Sequence, residues 1–158
     1  MERNVLSLLA LWKDQKGTLV ASTYTLAVRT TGTASGSAAL EIIAVAPITV
    51  VSIEIFTSAA TASQFGIGRP NAKGVTPTSP ATFLSQTDGT TTSQSTLALA
   101  WGTGPTAPPK FAHRGVVPAA IGGRLFFNVS QPLTTGSTLV LWNLALNSAC
   151  DANIVISE

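Results

Sequence analysis

The one histidine of the chain, His113, lies in Phe111-Ala112-His113-Arg114, and any nucleophile–base pair would have to be built on it. The adjacent arginine disfavours the imidazolium that such a base must become. No Gly-x-Ser-x-Gly elbow supplies a strained serine. His113 is therefore expected at a strand edge, hydrogen-bonded or solvated. Seven carboxylates are dispersed from Glu2 to Glu158. A glycosidase pair needs two of them within about 10 Å, and Glu41 and Glu54, both in segments of strand character, could meet across a hairpin. Each is expected instead in a solvated position on the outer face of its strand. The single Cys150 allows no intrachain disulfide and cannot form a zinc site by itself. A buried, inert thiol near the C-terminal strand is the expectation.

Gly66-Ile67-Gly68 opens like a dinucleotide fingerprint, but Asn71 stands at the third glycine position and no helical pattern follows. Trp12, Trp101 and Trp142 could stack on a sugar. Trp101 and Trp142 end or centre apolar runs, Leu97-Ala98-Leu99-Ala100-Trp101 and Leu139-Val140-Leu141-Trp142, so packing in the core is the expected role for both. No catalytic set, cofactor site or metal-ligand set emerges, and the chain reads as a non-enzyme.

The elements that must position these residues belong to a domain of ordinary size and unusual surface. At 158 residues the chain can bury one core without disulfides or a metal. Hydrophobic residues make up 45%, but charged residues only 10%, against about 25% in a typical soluble domain. Ser and Thr fill the gap, so the surface is neutral and hydroxyl-rich, and charge repulsion does little to keep copies apart. Nine basic and seven acidic residues give a net charge of +2 with no run of Lys or Arg. Nucleic acid, which is bound through several cations on one face, is not expected as a partner. No apolar run approaches the 18 or so residues of a membrane span, so no membrane association is expected.

Periodicity predicts strands: 18–28, 38–45, 49–56, 82–85, 95–101, 111–117, 125–129, 138–146 and 152–156. In the third of these Val51, Ile53 and Ile55 alternate away from Val50, Ser52, Glu54 and Phe56. Asp88-Gly89, Gly102-Thr103-Gly104-Pro105, Gly122-Gly123 and Thr135-Gly136 supply turns between them. The fold class is all-β: an antiparallel β-sandwich, jelly-roll-like, of about nine strands, with a closed barrel as the nearest competitor.

Three segments stand apart. The connection Gly68 to Pro80 carries Arg69-Pro70 and Pro77-Thr78-Ser79-Pro80, which are extended and stiff because each proline fixes its own φ and restricts the residue before it. The connection Thr87 to Gln94 is polar and reads as a flexible tip. Residues 1–17 form an N-terminal segment preceding the single domain 18–158. Val5 to Trp12 is apolar on nearly every side, and either packs within its own domain or is an arm exchanged with a neighbour. The residues expected to make assembly contacts are Val5, Leu8, Leu9, Trp12, Arg69, Pro70, Pro77 and Pro80.

Phe65-Gly66-Ile67-Gly68-Arg69-Pro70 with Gly74-Val75-Thr76-Pro77-Thr78-Ser79-Pro80, then Ala100-Trp101-Gly102-Thr103-Gly104-Pro105, then Leu139-Val140-Leu141-Trp142-Asn143, resemble stretches of small β-rich virion structural proteins of tailed bacteriophages. The likeness covers about the last hundred residues. It implies a virion component assembled in the host cytoplasm, most of all a capsid decoration (cement) protein that stabilises the head by binding the coat lattice. The partners it implies are further copies of the chain, a homotrimer being favoured, and the major capsid protein or other virion proteins. The alternative is a tail or fibre module recognising a host-surface glycan.

Overall fold

The computed structural model describes residues 21–30, 35–58, 62–78, 80–119, 122–145 and 149–158. These fold into an all-β antiparallel structure of twelve strands rather than about nine. In chain order they are β1 (Thr23–Arg29), β2 (Ser37–Ile43), β3 (Ile48–Thr57), β4 (Ser63–Gly68), β5 (Val75–Pro77), β6 (Ala81–Ser85), β7 (Thr92–Ala98), β8 (Trp101–Thr103), β9 (His113–Val117), β10 (Gly123–Leu133), β11 (Thr138–Asn143) and β12 (Asp151–Ser157). Ten form one sheet in the order β10-β3-β12-β1-β6-β7-β2-β11-β4-β9, while β5 and β8 make a separate ribbon.

The sheet rolls into a nearly closed barrel. Its terminal strands β9 and β10 meet through side chains instead of a hydrogen-bonded ladder. A Cβ on Gly115 would lie 3.0 Å from both Leu125 and Phe127, and the rings of His113 and Phe127 are 6.1 Å apart. Inside, Leu40, Ile42, Val50, Ile53, Ile55, Phe65, Ile67, Phe83, Leu97, Leu139, Leu141, Ile154 and Ile156 are buried in one cluster. Tyr24, Leu26 and Val28 of β1 pack against it, the face that the alternation in this strand predicts.

In β3 the expected alternation is broken. Val50 is buried with Ile53 and Ile55, whereas Val51 is exposed. The cause is a bulge: Ser52 pairs with Val155 and Val50 with Ile156, leaving Val51 without an opposite number on β12. On the other side β10 shifts register between Asn128 and Gln131, where Ser130 takes a positive φ of 44°. An extra residue inverts the inside–outside parity of everything beyond it.

β4 escaped the periodicity reading because of its two glycines. They are there for room. A Cβ on Gly66 would stand 2.9 Å from the Phe111 ring and 3.0 Å from Leu144, so the missing side chains let the segment after β8 lie directly on the strand. That segment covers a second apolar cluster on the outside of the barrel, where Ala38, Val140 and Trp142 are buried beneath Trp101, Ala107, Phe111 and Leu144.

The polar connection from Thr87 is a built turn rather than a flexible tip. The Asp88 carboxylate accepts from the Thr90 and Thr91 amides, each at 2.8 Å, and from the Thr91 hydroxyl at 2.6 Å, and β7 begins at Thr92. The Thr91 hydroxyl first, then the Thr91 and Thr90 amides, lower the Asp88 pKa from 3.8 to about 2. A lowered folded-state pKa means that the carboxylate's support of the turn is complete above about 3.8 and fades as the pH falls toward 2. Amide exchange at Thr90 and Thr91 is expected to gain protection between pH 2 and 4, relative to the intrinsic rate, and to lose that pH dependence in Asp88→Ala. An unchanged profile in the variant would remove Asp88 as the turn's fastening.

Candidate assembly surfaces

Glu41 departs furthest from expectation. It lies on the outer face of β2, as its alternation with Leu40 and Ile42 requires, yet it is 0% exposed. The β5–β8 ribbon covers it. The Trp101 indole N–H donates to Glu41 Oε2 at 2.8 Å, and the Gly74 amide donates to both carboxyl oxygens at 3.2 Å. A Cβ on Gly74 would fall 2.2 Å from Trp101 Cδ1 and 2.6 Å from Glu41 Oε2, so only glycine can deliver its amide there. The group is thus a fastening for a flap, its buried oxygens matched by donors.

The flap is made by the stiff proline-bearing connection. Val75 pairs with Thr103 and Pro77 with Trp101; Ala72 bridges Thr106; and the Thr78 amide donates to the Ala100 carbonyl at 3.1 Å. Of the expected contact residues, Arg69, Pro70, Pro77 and Pro80 all belong to this connection. Arg69, Pro77 and Pro80 are exposed and Pro70 half-buried, and Arg69 Nη2 donates to the Pro132 carbonyl at 2.8 Å. Val5, Leu8, Leu9 and Trp12 lie outside the described residues.

The opposite outer face, formed by β10, β3, β12 and β1, carries no flap among the described residues. Its side chains stand in rows set by strand register. One row is Arg29, Asp151, Phe56 and Arg124; the next is Ala27, Asn153, Glu54 and Phe126. Phe56 is 43% and Phe126 59% exposed. Charges around them are matched internally: Arg29 Nη1 reaches both Asp151 oxygens at 2.9 and 3.1 Å, and Arg124 pairs with Glu54. Glu54 therefore holds the outer-face position expected of it but not the solvated one, its side chain being only 15% exposed beside Arg124. A shallow groove of about 500 Å³ runs past Ala27, Arg29, Phe56 and Asn153. Sequence reasoning passed over Phe56 and Phe126 as contact residues, although β3's alternation places Phe56 outward with Glu54.

The residues first considered for chemistry are placed structurally. His113 packs at the β9–β10 seam against Phe127, the two rings tilted by 59°. Cys150 is buried; burial pushes its thiol pKa up, against the opposing hydrogen bond from Thr30. Trp142 is wholly buried, while Trp101 is half-buried with its N–H engaged by Glu41. No group of three or more potential metal ligands occurs among the described residues, and no helix there is long and apolar enough to cross a membrane.

No family model matches the chain, and no curated protein matches it. Among solved structures it is similar to the decameric BFDV capsid protein, at 7% identity over 87% of this chain and 94% of that one, with a TM-score of 0.22. A likeness at that level establishes neither a shared fold nor a shared role.

Proposed function

We propose that this chain is a non-enzymatic virion structural protein, a capsid decoration protein of the tailed-phage type that self-associates, as a trimer, and clamps neighbouring coat subunits. One observation carries the assembly role: the uncovered face of β10, β3, β12 and β1, where exposed Phe56 and Phe126 are rimmed by internally satisfied ion pairs. Large aromatic anchors within a polar rim are the anatomy of an association surface. A surface with only 10% charged residues opposes such contacts weakly. The more specific role as head decoration rests on the sequence resemblance. The glycan-binding alternative loses support, since Trp142 is buried and the Trp101 N–H is already taken.

The test is the mass of the purified chain by light scattering, together with its binding to expanded phage heads. The expected result is a trimer that binds heads, reduced to a folded monomer by Phe56→Asp with Phe126→Asp. Loss of two such anchors is worth roughly 2 kcal/mol or more each. A monomeric wild type that ignores expanded heads would overturn the reading. A trimer that survives both substitutions but dissociates on deletion of residues 1–16 would move the contact to Val5, Leu8, Leu9 and Trp12.

A further inference from the structure

Charge is segregated in this molecule in a way its near-neutral total conceals. Six Lys and Arg side chains lie among the described residues: Arg29, Arg69, Lys73, Lys110, Arg114 and Arg124. Arg29 and Arg124 hold Asp151 and Glu54 on the uncovered face. The other four have no carboxylate partner among the described residues, and the fold gathers them on the flap side. Arg69, Pro70 and Lys73 line one groove of about 260 Å³ with Ser137 and Thr138. A Cβ on Gly68, the residue before Arg69, would sit 3.6 Å from the Lys110 carbonyl. Arg114 stands opposite Gly66 on the neighbouring strand, its guanidinium 5.8 Å from the centre of the Phe111 ring. Two pairs of cations 37 or more positions apart in sequence, too sparse to register as a basic run, thus share one flank.

The nearby acid cannot neutralise them, because Glu41 is buried and bonded to Trp101 and Gly74. Asp88 is committed to the β6–β7 turn. From this we infer that the flap side is a docking surface for an acidic, extended segment of a partner protein, with one carboxylate seated in the groove between Arg69 and Lys73 and others reaching Lys110 and Arg114. A carboxylate fits better than a phosphate backbone. The groove is small, two hydroxyl residues line it, and the Arg69 guanidinium is pre-positioned by the Pro132 carbonyl. Four cations in two pairs fall short of the row of contacts that supports polynucleotide affinity.

This surface is separate from the Phe56–Phe126 face, so its failure leaves the oligomer measurement untouched. The experiment is fluorescence anisotropy of labelled octaglutamate on the full chain at about 20 mM salt, where screening is weak. Arg69→Glu with Lys73→Glu is expected to weaken binding roughly tenfold or more, and Arg69→Gln with Lys73→Gln by an intermediate factor. Gln86→Glu with Thr87→Glu, which lowers the net charge by the same two units as the Gln pair but at the exposed β6–β7 turn, is expected to change it less than about twofold. Absence of octaglutamate binding would overturn the inference. So would equal losses in both pairs of variants, which would mark a net-charge effect, or tighter binding of a single-stranded DNA octamer, which would mark a phosphate surface.

Discussion

Glu41→Ala is expected to destabilise the protein by about 3 kcal/mol and to free the β5–β8 ribbon. The substitution leaves two donors, the Trp101 indole N–H and the Gly74 amide, without the acceptor they converge on. Each buried donor left unpaired costs roughly 1–3 kcal/mol. Part of that is recovered when the ribbon lifts and water reaches the donors, which is why the sum is less than the upper limit. Glu41→Gln keeps one acceptor oxygen and should lose only about 1 kcal/mol. Urea denaturation gives the stability. Hydrogen exchange gives the mechanism, because the Thr78, Asn71 and Thr106 amides, all bonded across the ribbon, should lose protection well before those of β3 or β12. If Glu41→Ala melts like the wild type, the carboxyl group is not what fastens the flap.

Trp142→Ala should be the costliest change in the second apolar cluster, at about 3–5 kcal/mol. Trp142 is 0% exposed and lies under Phe111, with ring centroids 6.4 Å apart at 58°. Its truncation empties the space between β11 and the segment crossing it. Trp142→Phe should cost far less than a loss of that size suggests. It retains an aromatic ring against Phe111 and deletes an indole N–H that has no acceptor among the described residues, so part of the packing penalty is offset. The comparison is made from the two midpoints of chemical denaturation at equal m-values. Equal penalties for Ala and Phe would show that the N–H, not the ring volume, matters at this position.

The strands were legible wherever one face is buried and the other wet. The alternation of Tyr24, Leu26 and Val28 marks β1, which runs Thr23–Arg29 where 18–28 was expected, and β6, β9, β11 and β12 start within two residues of their expected positions. Legibility failed where a second layer lies on the barrel. β2 is buried on both faces, so Glu41 looked like an outward, solvated residue when it is in fact roofed by Trp101 and Gly74. Gly66 and Gly68 weakened the strand signal of β4 for the same reason, since they make room for Phe111 and Pro108. The Val51 bulge is invisible in periodicity because it depends on how β12 pairs with β3. The flank of Arg69, Lys73, Lys110 and Arg114 is likewise a product of topology, joining a loop after β4 to β9 and the approach to it.

The place of β1 in the sheet also bears on how the chain is made. β1 is zipped along its whole length to β12, with Arg29 opposite Asp151 across 122 residues of sequence, and β3 is held between β12 and β10. At about 5–20 residues per second of synthesis, β1 waits roughly 6–24 s on the ribosome for the strand that completes it. The Phe56–Phe126 face is built from these same four strands, so it does not exist on a nascent chain. A product truncated before β12 therefore lacks this face, and with it the contacts proposed for self-association.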